Sequence, residues 1–78
     1  MSKSPLRNIS LITFRDYLKW EGLYYVRTKG GHEIWSKKGL HRPVAFQTHI
    51  DPVPEHIVRK ILKNINANAN DYIEFLKS

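Results

Sequence analysis

The spacing of apolar side chains changes three times along the chain. After Ser10 they fall at Leu11, Phe14, Tyr17 and Leu18, with Arg15, Asp16, Lys19 and Glu21 between them. That spacing predicts an amphipathic helix of about three turns, with Ser10 as its N-cap. Gly22 then stands where a left-handed residue closes a helix. Three short runs rich in β-formers follow: Leu23 to Thr28, His32 to Lys37 and Pro43 to Thr48. The links Lys29-Gly30-Gly31 and Lys38 to Arg42 are short and contain glycine, so they predict antiparallel hairpins. Pro43 has no amide hydrogen to give and fits the first residue of a strand. Pro54 fits the first position of a second helix, whose stripe is Ile57, Val58, Ile61, Leu62 and Ile65, with His56, Arg59, Lys60 and Lys63 facing away. Within the break at 66–70, Asn68 can cap a last short helix with Tyr72, Ile73, Phe75 and Leu76 as its apolar face.

The order helix, three strands, helix, short helix predicts a single α+β domain over residues 1–78. It has a lead-in at 1–9 without periodicity, read as loosely ordered, a core at 10–65 and a helical extension at 66–78. A sheet of three antiparallel strands is too thin to bury both faces, so both main helices are expected on one face, leaving the other for solvent or ligand. That plan resembles the α-β-β-β-α arrangement of double-stranded-RNA-binding domains. The chain has 78 residues and no cysteine, so packing alone must hold it. No apolar run approaches the roughly 20 residues needed to span a bilayer, and the first residues lack the apolar stretch of a signal peptide. The expected setting is the cytoplasm.

Charge narrows the choice of partner. Thirteen Lys and Arg against seven Asp and Glu give a formal +6 and a pI near 9.8. Between Arg27 and Arg42 lie five cations (Arg27, Lys29, Lys37, Lys38, Arg42) and one acid, Glu33, a net +4. Such an excess on a small surface points first to polyanions. Tyr24, Tyr25 and Trp35 lie in the same stretch, and bases stack on aromatics beside phosphate-binding cations. The plainer readings are a solvated basic face for the cations and core packing for the aromatics. Strand alternation does not say which aromatic faces which way.

The segment Arg27-Thr28-Lys29-Gly30-Gly31-His32 joins cations, two glycines and an imidazole. Adjacent glycines expose backbone amide hydrogens and admit a phosphate without a Cβ in the way. Imidazoles change charge between about pH 5 and 8, so His32 could take a proton from a ribose 2′-OH or give one to a leaving oxygen. The chemistry would be metal-free transesterification, with a nearby cation stabilising the charge that builds on phosphorus. Gly-Gly is also a common hairpin turn, and a strand histidine is often a plain surface residue. His49, after the third strand, is either an auxiliary acid or phosphate contact, or a structural hydrogen-bonding group. His41 and His56 read as bystanders. The histidine spacings match no zinc pattern and no carboxylate cluster suits magnesium, so neither a metal nor another cofactor is expected.

Residues 14 to 65 closely resemble the HicA family of toxin ribonucleases from prokaryotic toxin–antitoxin pairs. The matching features are Leu18-Lys-Trp-Glu-Gly-Leu23, then Arg27-x-Lys-Gly-x-His32-x-Ile34-Trp35, Arg42-Pro43-Val44, His49, and Pro54 to Leu62. The resemblance implies a fold like that of double-stranded-RNA-binding domains, metal-independent cleavage of mRNA, and a HicB-like antitoxin as partner. It maps the catalytic role onto His32. The charge run and the glycine turn, read on the residues themselves, make Arg27, Lys29, Gly30, Gly31, Lys37, Lys38 and Arg42 the expected RNA- and phosphate-binding set, with His49 and Trp35 as auxiliaries. Where the family usually carries Ser before the histidine, this chain has Gly31, and Gly31→Ser is expected to preserve or raise activity if that hydroxyl helps to orient the imidazole. The alternative function is a non-catalytic RNA-binding module; a third is a structural subunit whose basic face docks an acidic protein.

Overall fold

The computed structural model describes residues 4–78; the first three residues of the lead-in lie outside the described residues. Helix α1 spans Leu11–Trp20, strands β1, β2 and β3 span Tyr24–Lys29, His32–Ser36 and Val44–Gln47, and helices α2 and α3 span Glu55–Asn64 and Ala69–Lys77. The fold is α+β, with a three-stranded antiparallel sheet in the order β1-β2-β3.

Local signals account for most element ends. The Ser10 hydroxyl accepts from the Thr13 amide at 3.1 Å and caps α1. Gly22, at φ +94°, follows the C-cap residue Glu21 and turns the chain into β1. Asn68 and Asp71 form a reciprocal capping box at the start of α3. Pro54 sits one residue earlier than expected, as the N-cap of α2. The cause is the same at either position, since proline has no amide hydrogen for the helix to leave unpaired.

The lead-in differs from expectation. Leu6 and Ile9 are buried, and Ile9 bridges Val53, whose amide donates to the Ile9 carbonyl at 2.8 Å. Asp51 accepts from the Leu11 amide at 3.1 Å, satisfying an otherwise orphaned donor at the start of α1. Leu6 and Ile9 are therefore part of the core, and the segment that carries them is tied to the loop before α2.

That core is a single cluster. Phe14, Tyr17 and Leu18 of α1 are fully buried, and the Phe14 ring meets Phe46 of β3 edge-on at 5.2 Å. Val58, Ile61, Leu62 and Ile65 of the second helical stripe join the same cluster, while Ile57 is only partly buried. Helix α3 closes the far side of α1, with Tyr72 and Phe75 packing edge-on around Tyr17 at 5.2 and 5.5 Å. Leu76, expected on that face, points to solvent.

Alternation along the strands separates two sheet faces. Glu33, Trp35, Val44 and Phe46 are buried on the core side, whereas His32, Ala45 and Gln47 are exposed on the other. Strand β1 is an edge and exposed throughout. Its register breaks at Val26: Tyr25 pairs with Trp35, but Arg27 pairs with Ile34. This extra residue is a β-bulge, and it reverses the pleat halfway along the strand. Tyr25 and Thr28 consequently share the side of Trp35 and Glu33, while Tyr24, Arg27 and Lys29 share the side of His32.

Candidate functional site

The hairpin between β1 and β2 is the tightest kind. Gly30 and Gly31 have φ of +58° and +80° between the paired residues Lys29 and His32, the conformation of a type I′ turn. A Cβ would meet nothing within 4 Å at either position, so these glycines are required by backbone conformation alone. A serine at position 31 would have space but, at φ +80°, would strain the turn, a stability cost set against anything its hydroxyl adds.

The turn sets His32 directly beside Lys29, with Gln47 opposite on β3. His32 Nδ1 lies 3.3 Å from the Gly30 carbonyl oxygen. A carbonyl can only accept, so in the neutral imidazole the proton of this contact resides on Nδ1. The Nε2 lone pair is then free, which is the state a general base needs.

Beneath His32 the other side of β2 is anchored by Glu33, the one charged residue buried in the core among the described residues. Its carboxylate accepts from Arg15 Nε at 3.1 and 3.0 Å, from Trp35 Nε1 at 3.0 Å and from the Thr48 hydroxyl at 2.7 Å, and Arg15 Nη2 adds an ion pair. Burial alone would push this carboxyl up. The donors from Arg15, Thr48 and Trp35, with the Arg15 charge, outweigh it and hold the group at about 2. The Thr48 amide also donates to the Gly31 carbonyl at 2.9 Å. One residue therefore joins the glycine turn to the Glu33 network, which holds the strand start that carries His32.

The expected basic cluster is divided by the sheet. Arg27 and Lys29 share the face and end of His32, whereas Lys37, Lys38 and Arg42 lie in or beside the link at the opposite end of β2. Lys37 lies five residue steps along the chain from His32, about 16 Å at roughly 3.3 Å per residue. The Lys37 stem runs beside Gly22, with Cε 3.6 Å from where a Cβ would stand. Trp35 is 2% exposed and donates its indole N–H to Glu33, so it is core and cannot stack on a base. Tyr25 packs edge-on against it at 5.9 Å, leaving Tyr24 as the exposed aromatic on the His32 face. His49 is exposed in the loop after β3.

What sequence reasoning missed comes from α2. A cleft of about 450 Å³ opens between β3 and the first turns of that helix, and His32, Gln47, His56 and Lys60 all line it. The helical pattern marks His56 and Lys60 only as outward-facing, and their approach to His32 depends on where α2 docks. Among the described residues, no group of three or more His, Cys, Asp or Glu is arranged to hold a metal ion, and no helix is long and apolar enough to cross a membrane.

Compared with protein-family models, with characterised proteins and with solved structures, the chain has no match.

Proposed function

We propose that this chain is a metal-independent endoribonuclease that cleaves mRNA by 2′-OH transesterification, acting in the cytoplasm as the toxin of a toxin–antitoxin pair. The observation that carries this reading is His32, exposed on a basic sheet face beside a positive-φ glycine turn, with Nδ1 3.3 Å from the Gly30 carbonyl oxygen. The Lys-Gly-x-His likeness to HicA toxins adds to it, and implies an α-β-β-β-α domain like those that bind double-stranded RNA. A HicB-like antitoxin would silence the enzyme by covering the face that carries Arg27, Lys29 and His32.

The test is the chemistry of the products. Cleaved RNA should end in a 2′,3′-cyclic phosphate, substrates with 2′-deoxyribose at the scissile position should resist, and excess EDTA should leave the rate unchanged. Loss of cleavage in EDTA, or cleavage of the 2′-deoxy substrate, would rule this mechanism out. Binding without cleavage would favour the non-catalytic RNA-binding module, to which Tyr24 beside Arg27 offers a stacking platform.

Binding itself should be salt-sensitive. Removing Lys29 or Arg27 should lower the slope of log affinity against log salt by about 0.7 each on single-stranded RNA, because each phosphate contact releases counterions. Lys38→Ala and Arg42→Ala should have the same effect only on RNA long enough to cross the sheet, and none on a dinucleotide. Equal effects of all four on a dinucleotide would show that the two cation groups act together despite their separation.

A further inference from the structure

We propose that His56 is the second proton-transfer residue of the site, the general acid that faces the His32 base across the cleft, with Lys60 as the counter-charge for the phosphate. This rests on the reading of His32 as the group that activates the 2′-OH. Transesterification needs two proton transfers, at oxygens that lie on opposite sides of phosphorus in an in-line displacement. The 2′-oxygen forms a bond to phosphorus as its proton passes to His32 Nε2. The bond from phosphorus to the 5′-oxygen breaks, and that oxygen takes a proton from the His56 imidazolium. One imidazole pinned at the glycine turn is poorly placed to serve both oxygens, so an acid on the opposite wall completes the reaction.

The cleft is built for this division. His32 and Gln47 form one wall, from β2 and β3, while His56 and Lys60, one helical turn apart on α2, form the other. Its volume of about 450 Å³ falls within the range of small-ligand sites. Ala45 leaves the sheet wall open, and Ile50 and Ile57 supply apolar surface for a base or ribose.

The charges around His56 suit a phosphodiester. Among the described residues, Lys60 on its own helix and His32 across the cleft are the other cationic or titratable groups that line it, and Gln47 is neutral. The neighbouring carboxylates are engaged elsewhere: Glu55 with Arg59 at 2.8 Å and Arg7 at 3.6 Å, and Asp51 with the Leu11 amide. Of the two side chains on this wall, imidazole is the type that serves as a general acid in such reactions, so His56 is assigned the proton transfer and Lys60 the counter-charge.

The experiment compares wild type, His32→Ala and His56→Ala on two substrates across pH. One is a short RNA oligonucleotide; the other is a uridine 3′-(4-nitrophenyl) phosphate, whose leaving group departs without an acid. On the oligonucleotide the wild type should give a bell-shaped rate profile. His56→Ala should lose about 10²- to 10⁴-fold and its alkaline descending limb, yet approach wild-type rates on the nitrophenyl ester. His32→Ala should be slow on both. His56 is exposed, so circular dichroism should show an unchanged fold. If His56→Ala cuts the oligonucleotide at the wild-type rate with both limbs intact, or is equally impaired on both substrates, the acid assignment is overturned while the role of His32 stands. If wild type and His32→Ala cut both substrates alike, or the wild type cuts neither, both assignments fall.

Discussion

His32→Ala should lower RNA cleavage by about 10²- to 10⁴-fold, the range expected when a general acid or base is removed. The expectation is specific to chemistry, because His32 contributes little else. Its side chain is exposed, its ring approaches one hydrogen-bonding partner among the described residues, the Gly30 carbonyl, and the core beneath is held by Glu33 and Trp35, which point the other way. Thermal unfolding and RNA affinity should therefore stay close to wild type, and single-turnover rates should show the loss. A variant that still cuts RNA at the native rate would mean that some other group activates the 2′-OH. A variant that fails to fold would mean that the turn depends on the imidazole far more than its approach to the Gly30 carbonyl suggests.

The second large effect concerns stability. Glu33 is held at about 2, below the ordinary carboxylate value of 4.5, so it contributes stability that is fully present above pH 4.5. That contribution should drain away as pH falls from about 4.5 towards 2. A depression of that size corresponds to about 3 kcal/mol, a large fraction of the roughly 5 to 15 kcal/mol available to a small domain. Glu33→Ala goes further, since it leaves Arg15, the Trp35 N–H and the Thr48 hydroxyl without their acceptor; a loss of about 3 to 5 kcal/mol at neutral pH is expected. Urea unfolding at pH 7 and pH 3 checks both statements. Wild type should lose far more stability between these pH values than Glu33→Gln, which has no carboxylate to protonate at this position. Parallel losses in the two proteins would place the acid sensitivity in some other carboxylate. Glu33→Ala should also slow cleavage, because the network it anchors fixes the start of β2 and, through Thr48, the glycine turn.

The helices and strands are legible in the sequence because each announces itself locally. Ser10, Gly22 and Asn68 act within a turn of where they stand, and the stripe from Ile57 to Ile65 has a clear period. Leu6 and Ile9 are not legible, since two apolar residues in a short segment have no period and acquire a partner only when the loop before α2 folds back. The site is half legible. The glycine turn and His32 form one local unit, so their juxtaposition survives folding. Lys37, Lys38 and Arg42 are near His32 in sequence but at the other end of a strand, and a hairpin converts sequence proximity into distance. His56 and Lys60 show the converse, being far along the chain and brought to His32 only by the docking of α2 beside β3. Glu33 reads as one acid in a basic stretch, and its buried role follows from facing opposite to His32.

The bulge at Val26 has a bearing on self-association. Strand β1 is a free edge carrying exposed Tyr24, Tyr25 and Val26, the composition that invites another strand to pair along it. A regular edge would offer an unbroken row of amides and carbonyls to a second copy. The extra residue interrupts that row at its most apolar point and adds local twist, while Arg27 and Lys29 repel an identical strand drawn alongside. The irregularity that places two cations on the face of His32 thus also guards the molecule against edge-to-edge aggregation.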